Sequence, residues 1–253
     1  MAKKSSVNIP AIQIIRVIVF LFIGLMLFCA YAKTESFLTA SDLFEVRDVL
    51  IDRSIQFIDV ADLRRLKGRN MFKVDIAKLQ GRIKAQYPQI AELRVIREFP
   101  DRIKVLAKKR QGLFQVPHKG KFLLVDTEGV AMYYTPALLN LPMVQGALGN
   151  IKVVQGAPLT SKNTGLAVAI LQGFKAHLRT ARLKVTSLDL RNLSKIDVTL
   201  AEALHIILDQ DNYPTKLDML DMLLAQRKID FAQVKYIDLR FNEPVLGANE
   251  GSK

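Results

Sequence analysis

Residues Glu92–Arg110 read ELRVIREFPDRIKVLAKKR, and this stretch decides the fold. Pro100-Asp101 sits in its middle, and proline followed by aspartate is turn chemistry. The flanks therefore read as two strands, ELRVIREF (Glu92–Phe99) and RIKVLAKKR (Arg102–Arg110). In the second, Ile103, Val105 and Ala107 alternate with Lys104 and Lys108, so one face is buried and the other wet.

Upstream of this pair lies a helix. Asp75 is its N-cap, Ile76, Leu79, Ile83 and Tyr87 make one apolar stripe, and Pro88 stops it. Before it, GRNMFKVD (Gly68–Asp75) is a turn holding two large apolar residues. A shorter helix is expected after an N-cap at Asp59, with Leu63 and Leu66 on one face and Gly68 as its end. FEVRDVLI (Phe44–Ile51) supplies a first strand through Val46, Val49 and Ile51. The order is strand, helix, helix, strand, strand, which lets two helices cover one face of a small sheet.

Further upstream, Ile12–Ala32 is almost wholly aliphatic and aromatic, and no charge falls between Val17 and Ala32. About 20 helical residues cross the ~30 Å hydrocarbon core of a bilayer. A cleaved signal peptide is the alternative, with Lys3, Lys4 and Arg16 as its basic region and Ala30-Tyr31-Ala32 as its cleavage site. The length of the apolar run favours a retained anchor. The same three cations place the N-terminus in the cytoplasm and the C-terminal bulk outside. Residues 1–11 are then a cytoplasmic tail, 12–32 a transmembrane helix, and the polar stretch 33–42 (KTESFLTASD) a linker.

Downstream of Arg110, KFLLVDTEGVAM (Lys121–Met132) reads as two strands about Thr127-Glu128-Gly129. A helix is expected from about Thr164 to Leu178, and strands near Lys184–Leu190, Lys195–Leu200 and Leu204–Asp209. PTKLDMLDMLLAQR (Pro214–Arg227) is a helix with proline in its first turn, and VKYIDLRF (Val234–Phe241) a last strand. The class is α+β.

These pieces, in this order behind one anchor, resemble the bacterial division family FtsQ/DivIB. The matching segments are FEVRDVLI, GRNMFKVD, the Tyr87-Pro88 helix end and, above all, REFPDRIKVLAKKR, where Arg97, Phe99 and Pro100 fit the Arg-x-aromatic-Pro turn of an FtsQ-type POTRA domain. LVDTEG, LPMVQG (Leu141–Gly146) and the closing Tyr-Ile-Asp-Leu-Arg segment are similar to the family's second domain. The resemblance implies a POTRA domain (β-α-α-β-β) over 43–110, an FtsQ-type β-domain of mixed sheet with flanking helices over 111–246, and a short tail, 247–253. It also implies a non-enzymatic scaffold in the cell inner membrane at the division septum. Such a scaffold assembles with the single-pass proteins FtsB and FtsL and links early and late division proteins. Its POTRA region serves recruitment, with the helix after Asp75 and the adjacent edge strand as the surface. The end of its β-domain pairs with a strand of FtsB. Carried onto this sequence, that points to Tyr236, Arg240, Phe241, Asn242, Glu243 and Val245, with pairing expected to stop or break at Pro244, which has no N–H.

Composition agrees with a binding protein. No catalytic set is visible: no Gly-x-Ser-x-Gly elbow and no phosphate loop. His118, His177 and His205 lack ligand spacing, and the single cysteine, Cys29, lies in the apolar segment. Neither cofactor nor metal is expected, nor a small-molecule substrate. Asp218 and Asp221 read as a solvated helix face. The net charge of +13 includes a cluster of Arg102, Lys104, Lys108, Lys109, Arg110, Lys119 and Lys121, which is either a solvated sheet face or a contact for an acidic partner or headgroups. Nucleic acid is not expected, because tryptophan is absent and few aromatics interleave the charges. Two other classes stay open: a POTRA-bearing polypeptide-transport or outer-envelope assembly component, and a membrane-anchored wall hydrolase. The first usually ends in a membrane β-barrel and the second needs a carboxylate or metal constellation.

Overall fold

The computed structural model describes residues 11–52, 63–177, 180–201, 203–226 and 234–248. The expected cap at Asp59 lies outside them. The chain divides into two compact units, Met1–Gly81 with Leu93–Ala107, and Arg82–Glu92 with Lys108–Lys253.

The first unit opens with helix α1 (Ala11–Ala40), 30 residues long. A span within it, Ile15–Ala40, is long and apolar enough to cross a membrane, its most apolar 18 residues having a mean hydropathy of 2.4. The expected linker over 33–42 is therefore mostly helix. No glycine or proline interrupts Lys33–Ala40, and two threonines turn inward: the Thr34 and Thr39 hydroxyls donate to the carbonyls of Ala30 and Glu35, both at 2.8 Å. The helix gives way at Ser41, whose Oγ accepts from the Leu43 amide and opens a 3-10 turn, Asp42–Phe44.

Strand β1 (Asp48–Ile51) is half the length read from FEVRDVLI, because Phe44 lies in that turn and Glu45 only bridges Asn70. Another 3-10 turn, Met71–Lys73, occupies GRNMFKVD. Helix α2 (Ile76–Gln86) starts where its cap predicts, with the Lys78 amide donating to Asp75 Oδ1 at 2.9 Å. Strands β2 (Ile90–Glu98) and β3 (Arg102–Lys109) follow, and the three-stranded sheet runs β1-β3-β2, with β1 parallel to β3. The alternation of β3 holds, since Ile103 and Val105 are fully buried.

The second unit is a nine-stranded mixed sheet in the order β12-β11-β10-β9-β8-β7-β4-β5-β6. Strands β4 (Gly112–His118), β5 (Lys121–Asp126) and β6 (Ala131–Thr135) form an antiparallel meander. Strand β7 (Met143–Gln145) joins β4 and β8 (Val185–Asp189), parallel to both. Strands β9 (Ile196–Leu200) and β10 (His205–Leu208) continue antiparallel. A crossover through α4 (Tyr213–Ala225) returns the chain to β11 (Val234–Asp238), parallel to β10, and β12 (Val245–Ala248) folds back antiparallel on β11. Helix α3 (Lys162–Ala176) buries Ala167, Ile170, Leu171 and Phe174 in the common core, and α4 buries Leu217 and Leu220 there. An apolar N-terminal helix, a small sheet with its helix and a large mixed sheet with helices together make an α+β fold.

Strand β4 has no counterpart in the sequence reading. Leu113, Phe114, Gln115 and Val116 are buried in succession, so no period of two marks it. The one polar member is fully paired: Gln115 Nε2 donates to the carbonyls of Leu139 and Leu141 at 2.8 and 2.7 Å, and its Oε1 accepts from the Leu139 amide at 3.0 Å.

Candidate functional site

The two sheet ends of the second unit are β6 and β12. The β12 end contains the residues that the sequence singles out, so the site is built from there. Ile237 and Leu239 are fully buried and fix β11 against the core. Register then follows: Ile237 faces Ile206 on β10 and Leu246 on β12.

What ends β11 is a charged fork. The Arg240 guanidinium donates to both oxygens of Asp238, from Nε to Oδ1 at 3.0 Å and from the second terminal nitrogen to Oδ2 at 2.7 Å. The Arg240 amide adds a bond to Oδ1 at 3.1 Å. These hydrogen bonds hold the Asp238 carboxyl below the usual carboxylate range, against the opposing push of burial. Asp238 in turn raises Arg240 above its ordinary value. The guanidinium also lies 5.6 Å from the Phe241 ring centroid, and Lys216 Nζ donates to the Phe241 carbonyl at 2.7 Å.

Among the described residues this device occurs twice. Asp189-Leu190-Arg191 ends β8 as Asp238-Leu239-Arg240 ends β11, each with a buried leucine between fork partners. Arg191 Nε donates to both Asp189 oxygens at 3.0 Å, and the Asp189 carboxyl is likewise lowered, chiefly by the hydrogen bonds of Arg191.

Arg240, Phe241, Asn242 and Glu243 form the bend between β11 and β12, so the strand read to Phe241 ends at Asp238. Within the fold, β12 begins its pairing with β11 at Val245, directly after Pro244. The physical reason is local. A proline that starts an edge strand loses no ladder bond, and the fork behind it turns the chain back. The outermost strand of the described residues at this end is therefore β12. Val245 and Leu246 on it are 45% and 43% exposed, Phe241 in the bend 55%.

Gly247 lets this strand close. It stands opposite Tyr236, whose ring lies across it so tightly that any Cβ at 247 would overlap the ring. Tyr236 thereby covers the glycine and remains half-exposed itself. Together Tyr236, Phe241, Val245 and Leu246 give an apolar rim to a main-chain edge that no other described strand pairs. Such an edge accepts an extended segment, whose backbone bonds supply affinity and whose alternate side chains supply specificity.

The other expected site residues lie in the first unit. Arg97 is structural: its Nε and a terminal nitrogen donate to the carbonyls of Met71 and Val74 at 3.0 and 2.9 Å and pin the 3-10 turn. Phe99 lies tilted against Phe72 at 5.7 Å and meets Phe44 edge-on at 6.3 Å. Pro100 follows it across a cis peptide in the β2–β3 turn.

The histidines are dispersed. His118 Nδ1 bonds the Tyr134 hydroxyl at 2.8 Å, His205 Nδ1 bonds Asp197 at 2.8 Å, and His177 lies 3.5 Å from Asp218. Among the described residues no group of three or more metal-ligating side chains converges. Within the basic cluster, Lys108 and Arg110 are held in ion pairs. Arg110 is buried and bonded to Asp126 at 2.5 Å and Glu128 at 3.2 Å, while Lys108 pairs loosely with Glu92 at 3.7 Å.

Comparison with known proteins gives these features a family. The family model described as cell division protein FtsQ/DivIB, C-terminal, matches residues 115–240, and that of the POTRA domain, FtsQ-type, matches residues 44–109. A cell division protein DivIB of Clostridium acetobutylicum is 25% identical over 179 residues, covering 69% of this chain and 70% of the relative. A DivIB of Clostridium botulinum is 25% identical over 158 residues, 61% of each chain. A solved structure of the major extracytoplasmic domain of DivIB from Geobacillus stearothermophilus aligns with 49% of this chain and 99% of its own, at 14% identity and a TM-score of 0.30. With the FtsQ-type POTRA match followed by the FtsQ/DivIB C-terminal match along most of its length, the chain belongs to the FtsQ/DivIB family of bacterial cell division proteins.

Proposed function

We propose that this protein is a non-enzymatic, single-pass scaffold of the divisome that gathers small membrane-tethered division proteins through the β12 edge. The observation that carries the proposal is that edge: a short terminal strand with exposed Val245 and Leu246, backed by the Asp238–Arg240 fork. In this reading α1 anchors the chain in the cell inner membrane, with the N-terminus cytoplasmic and both units outside at the septum. The partner is a strand from a protein of the FtsB or FtsL kind. The family resemblance supports the partner class, and the apolar helix supports the anchor. Recruitment through the POTRA domain (43–110) belongs to the same proposal, with the edge strand β2 as its surface.

The test is co-purification from detergent-solubilised membranes. A Val245→Glu, Leu246→Glu variant changes two side chains that are each a little under half exposed, so its fold is checked first by hydrogen-exchange protection of β11 and β12. Capture of small single-pass division proteins should fall at least tenfold. Undiminished capture by a folded variant overturns the assignment of the edge. Arg240→Glu is unsuitable for this purpose, because it removes the fork and disturbs the strand itself.

A further inference from the structure

We propose that the aromatic residues at the base of α1 form a collar that seats the first unit in the outer headgroup layer of the membrane crossed by that helix. The inference rests on the anchor reading above and extends it from the helix to the folded unit. Four rings meet in sequence. Phe37 on α1 contacts Phe44 edge-on at 6.3 Å, Phe44 contacts Phe72 at 5.1 Å, and Phe72 lies 5.7 Å from Phe99. Both ends of this row are open: Phe37 is 61% and Phe99 60% exposed. Leu43, one residue before Phe44, is exposed as well.

The depth of the row follows from helix geometry. About 20 residues of helix cross the hydrocarbon core, and the headgroup layer adds roughly 5–7 Å on each side, or four to five residues more. An apolar span counted from Ile12 leaves the hydrocarbon near Ala32, and one counted from Val17 leaves it near Phe37. The first register places Phe37 at the outer limit of the headgroup layer and the second at its hydrocarbon boundary. Aromatic side chains favour that layer.

The other rings follow Phe37 because the helix end is tied to them. Asn70 Nδ2 donates to the carbonyls of Leu38 and Ser41 at 2.8 and 3.2 Å, and its Oδ1 accepts from the Phe72 amide at 3.0 Å. One side chain thus joins the last turn of α1 to the turn that presents Phe72. Cations flank the row: Lys33 on α1, Lys73 beside Phe72, and Arg47 with a 72% exposed side chain 3.8 Å from Asp101. They are placed to meet lipid phosphates. The surface is continuous with the exposed apolar face of α1, and this continuity selects lipid over a protein partner.

The absence of tryptophan makes the test direct. The full chain is placed in phosphatidylcholine–phosphatidylglycerol nanodiscs as three single-tryptophan variants, Phe20→Trp, Phe37→Trp and Phe99→Trp. Quenching is read with lipids brominated at deep or shallow acyl positions and with aqueous iodide. Phe20→Trp reports the anchor and should respond to deep bromines. Phe37→Trp and Phe99→Trp should respond at least twofold more to shallow than to deep bromines and be protected from iodide. If Phe20→Trp is quenched while the other two stay open to iodide and blind to bromine, the collar is wrong and the anchor stands. An unquenched Phe20→Trp removes both. Shielding of Phe99→Trp from iodide without any bromine effect also overturns the collar and points to a second copy. Phe37→Trp, on an exposed helix face, decides alone if Phe99→Trp perturbs the fold.

Discussion

Asp238 and Arg240 illustrate how little sequence distance a strand end needs. Two residues apart, they meet because Leu239 between them turns into the core. Removing the cation leaves a nearly buried carboxylate short of donors, so Arg240→Ala should cost about 1–3 kcal/mol. The measurement is loss of hydrogen-exchange protection in β11 and β12. The pH dependence has a definite sign. The folded Asp238 pKa is depressed, so its contribution is complete above the ordinary carboxylate pKa of about 4 and is lost as acid drives pH through the lower folded value. Protection of β11–β12, corrected for intrinsic exchange, should be flat from neutrality to about pH 5 and fall only below about pH 4. A decline centred between pH 6 and 7 would show that another group governs the hairpin. Arg97 makes a parallel case in the first unit. Arg97→Met keeps much of the stem but abandons the Met71 and Val74 carbonyls, and should destabilise that turn by about 1.5–3 kcal/mol, read by denaturant unfolding.

At the scale of elements, β12 and α1 are where expectation and structure part. Strand β12 has four residues and two glycine-or-alanine positions, too little pattern to announce a strand. It exists because Tyr236 needs a glycine opposite its ring. Gly247→Val should force the ring or the strand aside at about 1–3 kcal/mol, the usual range for overpacking. Exchange protection should drop in β12 while β8–β9 is unaffected, and capture of a strand partner should weaken with it. Helix α1 errs the other way, running on past its apolar part. Polar residues that bond back to the helix do not end it; Ser41 and Asn70 do. Asn70→Ala should remove the bonds to the Leu38 and Ser41 carbonyls and cost about 0.5–1.5 kcal/mol per lost bond, visible as faster exchange at residues 38–44. The longer internal elements were legible. Helices α2, α3 and α4 and the β5–β6 pair carry a clear period, cap or turn. Strand β4 did not, because burial on both faces erases alternation.

For the whole molecule, the proposed function has the anchor and the edge act together. Confining a partner to the same bilayer replaces free diffusion with a high effective concentration, so apparent avidity should exceed that for the same strand as a soluble peptide by about 10²–10⁴. Comparing capture in shared nanodiscs with capture of the peptide in solution checks this. Equal values would deny the membrane a role in assembly. Periodicity, caps and turn chemistry are local, so the sequence by itself determined an apolar helix long enough to cross a membrane, an α+β chain, and the order of most elements. Family motifs likewise survive as short strings, which is why REFPDRIKVLAKKR pointed to the right relatives. Only the tertiary structure decided that Arg97 pins a turn, that Arg240–Glu243 bend, and that β12 closes the sheet. Those outcomes depend on which surfaces meet across tens of residues, as when Gly247 finds the Tyr236 ring, and no local pattern encodes such a meeting.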